Sequence, residues 1–315
     1  MSDPNDFKRM NAPIRDIIEQ VQQQLAARGP VQERPRDGAC SQCGGRGYLL
    51  GREGALATAA LCGCDVRCAK CAGRGFLLEQ RDGYQFSRRC ECQTLAQRVA
   101  AYNAAHIPAR FHSATFEKFT VPGDGPAARS LLQIKRDVMH FADTARPGNT
   151  RLGIGLLGGP GRGKTHLLAA TLTRLSLGRG VQCRYVEISF LFADLKAAIS
   201  DPRARATVDK IEELAEVDVL AIDELGKGRG SVFEEEVLDE LIGRRYNNGR
   251  LTLFASNYPV EAVEPPRDGG KQELWHQSLR TRVGERVWSR LHEMVAFLEF
   301  PQQSLDFRSL GRKNQ

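Results

Sequence analysis

The chain has 315 residues, which is long enough for two domains, one of them with a substantial core. Its formal net charge is +7, and the positive residues are scattered along the chain and do not form a basic tail. This balance favours an anionic partner, with nucleic acid ahead of a membrane surface, and gives no sign of a solvated basic arm.

The amino-terminal residues predict a short amphipathic helix. Apolar side chains recur at helical spacing between Ile14 and Ala27, and Gly29-Pro30 ends the pattern. The helix either packs on its own protein or docks a partner, and we assign it with its linker to residues 1–36. No apolar stretch resembles a signal peptide, and nowhere do about eighteen apolar residues run together. We therefore expect a cytoplasmic protein without membrane spans.

Eight of the nine cysteines lie in a tandem repeat. The string Cys40-Ser-Gln-Cys43-Gly-Gly-Arg-Gly returns as Cys68-Ala-Lys-Cys71-Ala-Gly-Arg-Gly, and every cysteine of the first copy recurs 28 positions later. The first repeat contains Cys40, Cys43, Cys62 and Cys64, and the second contains Cys68, Cys71, Cys90 and Cys92. We assign the duplicated module to residues 37–94.

Each repeat has the spacing C-x₂-C-x₁₈-C-x-C, and four thiolates suit a closed tetrahedral Zn²⁺ site. We therefore expect two structural zinc ions per chain, one in each repeat. The string is also similar to the zinc repeats of DnaJ chaperones, in which the outer motifs pair in a crossed arrangement. The same cysteines would also suit disulfides, redox chemistry or an iron–sulfur cluster. The module docks either protein or DNA.

Strand and helix signals alternate after a connector at residues 95–125. The predicted strands are Leu152–Leu157, Gln182–Ile188, Val217–Ile222 and Leu251–Ala255. The predicted helices are Thr94–Tyr102, Ala127–Ala142, a segment beginning at Lys164, helices across Leu191–Leu214, and one through Val237–Tyr246. Strands separated by helices predict an α/β fold with a parallel sheet covered on both faces, in a domain at residues 126–315.

Residues Gly158 to Thr165 satisfy the phosphate-loop pattern G-x-x-x-x-G-K-[ST], between a predicted strand and an apolar helix. The glycine-rich backbone would wrap phosphates, Lys164 would reach the β- and γ-phosphates, and the hydroxyl of Thr165 would bind Mg²⁺. The predicted ATP-binding residues are Gly158, Gly159, Pro160, Gly161, Arg162, Gly163, Lys164, Thr165 and His166.

A second buried strand ends in the acids Asp223 and Glu224, where ligands collect in parallel sheets. We predict that Asp223 holds Mg²⁺ and that Glu224 polarises the attacking water. Asn257 ends the next strand at the same edge. It either positions that water or is simply a turn residue before Tyr258-Pro259.

Three arginines, Arg282, Arg286 and Arg290, recur every fourth residue in a segment with helical apolar spacing. This spacing predicts an arginine stripe on one helix face. The stripe is either solvated or, in an oligomer, reaches the γ-phosphate of a neighbouring subunit as an arginine finger.

The order of these motifs resembles the AAA+ ATPases of the DnaC/DnaI helicase-loader family and their relatives, the IstB transposition ATPases. The resemblance covers about Ile107 to the end of the chain, and loaders of this kind often carry a similar cysteine array ahead of it. It rests on the phosphate loop, Asp223-Glu224-Leu-Gly, Arg-Arg-Tyr246, Ser-Asn257 and Gly-Glu-Arg286-Val-Trp-Ser-Arg290-Leu. Two features depart from the family: the zinc unit is duplicated, and Glu224 stands where many members have Asp.

The resemblance implies an ATP-dependent loader that places a replicative helicase on single-stranded DNA and hydrolyses ATP between subunits of an oligomer. It implies that Arg290 is the finger, that Arg286 assists, and that Arg308 stands in for a sensor arginine. An IstB-like ATPase that assists a transposase, or a zinc-containing ATP-switched adaptor or chaperone, remains the alternative.

Basic residues after two of the strands are implied as contacts to single-stranded DNA. The alternative interpretation is that these residues only form a charged, solvated surface. They are Lys227 and Arg229 after the strand that ends at Asp223, and Lys196, Arg203, Arg205 and Lys210 on the helices after Ile188.

Overall fold

The computed structural model describes residues 40–64, 68, 70–71, 74–81, 84–150, 152–199, 206–261, 277–301 and 307. The predicted amino-terminal helix and its linker lie outside these residues, as do Arg203, Arg205 and Arg308. Contacts divide the chain into two units, Met1–Ser41 and Gln42–Gln315, and only Cys40 and Ser41 of the first unit are described. No helix in the described part of the chain is long and apolar enough to cross a membrane.

Each cysteine repeat contains a β-hairpin. Strands β1 (Tyr48–Glu53) and β2 (Leu56–Leu61) form the first, and β3 (Phe76–Arg81) and β4 (Tyr84–Arg89) form the second. Tyr48 pairs with Leu61 in one hairpin, as Phe76 pairs with Arg89 in the other. The sequence duplication is therefore also a duplication of structure with the same strand register, although we did not predict these strands.

The first hairpin packs against helix α1 (Leu95–Ala104), which follows a short 3₁₀ helix at Glu91–Thr94. Ala57 and Ala59 of β2 are buried in the main apolar core. The side chain of Asn103 in α1 accepts from the backbone N–H of Ala59 at 2.7 Å and donates to its carbonyl at 3.0 Å. Small side chains on β2 allow this close approach of strand and helix.

A five-stranded parallel sheet lies at the centre of the larger unit, with the strand order β6-β7-β8-β5-β9. Its strands are β5 (Gly153–Leu157), β6 (Cys183–Glu187), β7 (Val219–Asp223), β8 (Leu251–Ser256) and β9 (Val295–Glu299). Strands β5, β7 and β8 are buried along their whole length, as strands covered on both faces must be. The predicted α/β fold with a parallel sheet is confirmed.

Two apolar clusters cover the sheet. One contains α1, α2 (Pro126–Thr144) and α3 (Lys164–Arg179), together with the first hairpin. The other contains the remaining helices. These are α4 (Ile188–Ile199), α5 (Ala206–Glu216), α6 (Val232–Asn247), α7 (Leu279–Val283) and α8 (Glu285–Met294).

Arg245 of α6 is a completely buried arginine, 0% exposed, that joins several elements. Burial lowers the pKa of its guanidinium to about 9. Its acceptors are the carbonyls of Leu214, Ala215, Val217 and Leu251 and the hydroxyl of Thr252. The side chain therefore caps the carboxyl end of α5 and joins it to the start of β8. The last carbonyls of α5 have no acceptor role within the helix, and Arg245 supplies their hydrogen-bond donor.

The predicted arginine stripe on one helix face is wrong. Gly284 adopts φ 82° and separates α7, which carries Arg282, from α8, which carries Arg286 and Arg290. Glycine enters this left-handed region without steric cost, so the chain changes direction where the apolar spacing alone predicts a continuous helix. Strand β9, which follows α8 directly, was also not predicted.

Candidate nucleotide-binding site

The loop between β5 and α3 closes around the ammonium group of Lys164. Its Nζ donates to the carbonyl oxygens of Gly158 at 2.5 Å and Gly159 at 2.8 Å. Gly163, at φ 87°, precedes the first turn of α3, and a Cβ at this position would clash with the ring of Phe119. Glycine is required here both by the backbone angle and by the aromatic ring.

Asn257 reaches the same loop from the neighbouring strand. Parallel pairing sets Leu157 of β5 opposite Ser256 of β8, so the residue after β8 arrives beside the loop after β5. The side-chain oxygen of Asn257 accepts from Lys164 Nζ at 2.7 Å. The two residues are 93 positions apart in sequence, and the sheet register brings them into contact.

Asp223, at the end of β7, is held by two hydroxyl donors. Thr165 Oγ1 and Tyr185 OH donate to its Oδ2 at 2.8 and 2.7 Å. Asp223 is only 5% exposed, and this burial raises the pKa of its carboxyl, while the two hydrogen bonds oppose the rise. An oxygen pair from Thr165 and Asp223 at a strand end suits a hard cation such as Mg²⁺.

Glu224 adopts a left-handed backbone conformation, with φ 56°, which is uncommon for a residue with a side chain. Its carboxylate lies 2.6 Å from the ammonium of Lys227, and Lys227 also contacts Glu187 at 3.1 Å. The backbone N–H of Glu224 donates to Asp223 Oδ1 at 2.9 Å. The two acids therefore have different environments, since one faces hydroxyl groups and the other faces a cation.

Lys164, Thr165, Asp223, Glu224 and Asn257 line one cavity of about 740 Å³. The polar part of its lining includes the phosphate loop, Asp223, Glu224 and Asn257. Apolar side chains form another part, and the backbone N–H of one of them, Phe307, donates to Gly161 O at 2.9 Å. Its apolar members include Leu56, Pro108, Phe111 and Phe307.

Arg162 and His166, which we predict to bind ATP, also line the cavity. His166 Nε2 lies 2.8 Å from the carbonyl oxygen of Thr115, and its ring is 5.7 Å from that of Phe119. Burial lowers the pKa of this imidazole, so it is held in the neutral form more strongly than a solvated histidine. His166 thus fastens the connector to the first turn of α3.

The predicted arginine residues lie elsewhere. Arg290 donates to Asp239 Oδ1 at 2.6 Å on the facing helix α6, and Arg286 is exposed. Neither is among the described residues that line the cavity. Arg282 instead donates to the carbonyls of Gly226 and Gly228 and stacks on the ring of Tyr258, so it holds the loop that follows Glu224.

Lys196 and Lys210, two of the residues predicted to contact DNA, take part in interactions within the chain. Lys196 lies 3.8 Å from Glu234 and over the ring of Phe233, and Lys210 lies 3.2 Å from Glu213. Both lysines keep side chains that are at least one-third exposed.

The eight clustered cysteines form two groups of four, one from each repeat, with ligand atoms within 4.8 Å of one another. The Sγ–Sγ distances are 3.7 Å for Cys43–Cys64 and for Cys68–Cys90. Tetrahedral zinc with a Zn–S distance of about 2.3 Å gives about 3.8 Å between sulfurs, whereas a disulfide requires about 2.05 Å. The donor sets therefore fit zinc, and their grouping is local.

Backbone donors support both thiolate groups in the same way. The N–H of Gly47 donates to Cys43 Sγ at 3.4 Å, and that of Gly75 donates to Cys71 Sγ at 3.3 Å. Both glycines have positive φ angles, so the turn after the second cysteine directs its N–H toward the sulfur. Such hydrogen bonds orient metal ligands.

Several residues of the site were not predicted from the sequence. Tyr185, Phe307 and the hairpin residue Leu56 line the cavity from segments without a recognised motif, and Lys227 contacts Glu224 from the loop after β7. The signal available for Tyr185 was its position as an aromatic residue in a predicted strand that ends at the same edge of the sheet. The positions of Phe307 and Leu56 depend on segments that are distant in sequence and meet in the fold.

Comparison with known proteins matches residues 135–264 to the family described as IstB-like ATP binding protein. The chain is 26% identical over 297 residues to the phage-like element PBSX protein XkdC of Bacillus subtilis, across 92% of this chain and 91% of XkdC. It is 28% identical over 197 residues to the uncharacterized protein YqaM of the same organism, across 61% of this chain and 55% of YqaM. The match thus spans only about half the length of YqaM.

The replicative helicase loader DnaC of Escherichia coli is 29% identical over 190 residues, across 59% of this chain and 70% of DnaC. The crystal structure of the DnaC helicase loader aligns with a TM-score of 0.48 at 23% identity, across 61% of this chain and 99% of that one.

Proposed function

Given an ATP-binding domain of the IstB/DnaC type within residues 135–264, we propose that this protein is an ATP-dependent loader of a replicative DNA helicase onto single-stranded DNA. The observation that carries the proposal is the direct hydrogen bonding of Lys164 to Asn257 and of Thr165 to Asp223. These contacts assemble phosphate-binding and metal-binding groups at one sheet edge, in a chain whose relatives include proteins named helicase loaders.

Each polar residue has a separate role in hydrolysis. The loop glycines wrap the phosphates, and Lys164 moves its ammonium from the loop carbonyls onto the β- and γ-phosphates. Thr165 and Asp223 would hold Mg²⁺, which would offset the negative charge of the phosphates when bound. Asn257 orients the attacking water, and the carboxylate of Glu224 accepts its proton.

The site is completed by a second copy of the chain. Arg290, assisted by Arg286, reaches the γ-phosphate bound by its neighbour and stabilises the charge that develops there. To do so, Arg290 leaves its contact with Asp239 on α6. The functional form is therefore an oligomer.

Single-stranded DNA lies along the basic residues near the cavity, including Lys227, Arg229, Lys196 and Lys210. Phosphate contacts release counterions, so affinity for single strands falls steeply with salt. Alanine at both Lys227 and Arg229 should flatten that dependence by roughly one unit per lost contact while ATP binding is kept.

Residues 1–100 form the docking region for the helicase, and two zinc ions stabilise the cysteine repeats within it. Zinc bound by four thiolates supplies folding free energy to hairpins that have small cores. Deletion of these residues should abolish helicase capture. It should also weaken ATP binding, because the deleted residues include Leu56, which lines the cavity, and Ala57 and Ala59, which are buried in the core shared with α3.

The hydrolysis proposal is tested by two substitutions at the cavity. Lys164→Ala should abolish nucleotide binding, because it removes the charge within the phosphate loop. Glu224→Gln should keep nucleotide binding and stop turnover, because it spares the loop and removes the base. Normal hydrolysis by Glu224→Gln would show that the assignment of Glu224 as the base is wrong.

A second candidate function is assistance to a transposase, favoured by the match of residues 135–264 to the IstB-like family. Native mass spectrometry of the tagged protein with its co-purifying partners separates the two. Recovery of a hexameric helicase and a preference for single strands support the loader. Recovery of a transposase and a preference for duplex DNA support the second candidate.

A further inference from the structure

The tip of the first hairpin reaches the nucleotide cavity. Ala55, in the turn between β1 and β2, and Leu56, the first residue of β2, both line the cavity that contains the phosphate loop. They belong to the first cysteine repeat, whose ligand residues Cys43 and Cys62 lie at the other end of the same hairpin. The first cysteine repeat thus contributes residues to the lining of the nucleotide cavity.

Backbone hydrogen bonds fix the hairpin tip to the connector. Ala109 N–H donates to Ala55 O at 2.8 Å, and Ala57 N–H donates to Ile107 O at 2.7 Å. Leu56 forms an antiparallel bridge with Pro108 between these two bonds. The tip therefore extends a short stretch of sheet into residues 107–109, and this stretch forms one wall of the cavity.

The chemistry of the lining indicates which part of a nucleotide contacts this wall. In the proposed ATP site, phosphates bind at the polar part, where Lys164, Thr165 and Asp223 lie. The apolar side chains of Leu56, Pro108 and Phe111 cannot pair with phosphate charge. They can contact the faces of a base and the carbon atoms of a ribose, which are the apolar parts of a nucleotide.

We propose that the hairpin of the first cysteine repeat forms part of the nucleoside wall of the ATP site, so that zinc held by this repeat supports nucleotide affinity. The inference rests on the proposed ATP site and assigns a new element to it. Zinc would fix the positions of β1 and β2 at the cysteine end of the hairpin. Because the two strands are hydrogen-bonded along their length, this would also fix the position of Leu56 at the tip.

The second repeat provides an internal comparison, because it has the same register without the same contacts. Tyr84 occupies the position equivalent to Leu56 and is 72% exposed, compared with 36% for Leu56. Gln85 and Ser87, the equivalents of the buried Ala57 and Ala59, are exposed. Within the described residues, no part of this second hairpin lines the nucleotide cavity.

This difference gives a matched pair of substitutions, Leu56→Ser and Tyr84→Ser, each at the tip of a hairpin and each neutral in charge. Dissociation constants for ATP and for inorganic tripolyphosphate are measured by calorimetry on the full-length protein. Leu56→Ser should weaken ATP binding about fivefold through lost apolar contact, and it should leave tripolyphosphate binding unchanged. Tyr84→Ser should leave both constants at the wild-type values.

Zinc is tested by Cys62→Ser and Cys90→Ser, which remove equivalent ligands from the two repeats. Each protein should lose one zinc by elemental analysis, and Cys62→Ser should lose several times more ATP affinity than Cys90→Ser. Equal losses would contradict the inference.

Two further outcomes separate this inference from the proposed function. If the wild-type protein binds ATP and Leu56→Ser binds it equally well, the nucleoside wall is wrong and the ATP site stands. If the wild-type protein binds neither ATP nor tripolyphosphate, the proposed function fails and the inference fails with it.

Discussion

The carboxylate of Glu224 and the ammonium of Lys227 form an ion pair of 2.6 Å, directly after the strand that carries Asp223. Lys227 also contacts Glu187 at 3.1 Å, and these contacts raise the pKa of its ammonium. The proposed base is therefore bound to a cation that we also propose as a contact for DNA phosphates. DNA that attracts Lys227 would release Glu224 toward the nucleotide.

Lys227→Met should raise ATP hydrolysis measured without DNA. The lysine side chain is 51% exposed and that of Glu224 is 29% exposed, so solvent screens the pair. Pairs of this kind are worth about 0.2–1 kcal/mol, which corresponds to a rise of up to about fivefold. The same variant should lose most of its stimulation by single-stranded DNA.

Arg229→Met is the matched control, because it removes one positive charge from the same loop. It should weaken DNA binding and leave DNA-independent hydrolysis unchanged. Equal basal rates for Lys227→Met and the wild type would contradict the role of the Glu224–Lys227 pair.

The buried guanidinium of Arg245 should be essential for stability. Arg245→Met leaves four backbone carbonyls and a hydroxyl without their donor, and it should lower the free energy of unfolding by about 3 kcal/mol or more. The neighbouring Arg244 forms an exposed ion pair with Glu240. Arg244→Met should therefore change the free energy of unfolding by less than about 0.5 kcal/mol. Urea unfolding of both proteins provides the measurement, and similar midpoints would refute the prediction.

Zinc should be held locally, one ion in each repeat. A chain with serine at all four cysteines of the second repeat should keep one zinc by elemental analysis, because the first group remains complete. A crossed arrangement would leave that protein with none. The reverse test is serine at Cys62, Cys64, Cys68 and Cys71. That protein should keep no zinc, whereas a crossed arrangement would leave it with one.

Arg290→Ala should bind ATP normally and lose turnover, by about 10³-fold or more if the residue acts as an arginine finger. Asp239→Ala removes the partner that holds Arg290 within its own chain, and it should retain turnover. Mixing Arg290→Ala with Lys164→Ala protein should restore a small activity that rises with protein concentration. Full activity of Arg290→Ala alone would exclude a finger role for Arg290.

Much of the site could be predicted because its residues follow a local pattern. Lys164 and Thr165 lie in a loop of fixed spacing, while Asp223 and Asn257 each follow a buried strand. A parallel sheet brings such strand ends to one edge, so their meeting follows from the alternation of strands and helices. This holds even for β5 and β8, which are neighbours in the sheet although other strands lie between them in the sequence.

The remainder depends on tertiary contacts or on single backbone angles. The apolar spacing around Arg282 and Arg286 predicts one helix, but Gly284 at φ 82° ends it. Leu56 reaches the cavity only because the first hairpin pairs with residues near Pro108, a contact that no periodicity encodes. The two hairpins were missed because the cysteine spacing indicates metal ligands and says little about the strands between them.

The most direct test of the account is whether the protein loads a helicase. The replicative helicase from the same organism is added to circular single-stranded DNA that is coated with single-strand binding protein and carries a labelled oligonucleotide. The wild-type protein with ATP should increase displacement of the oligonucleotide, and Lys164→Ala should not. Failure of the wild-type protein to increase displacement, together with stimulation of strand transfer by a transposase, would contradict the loader function.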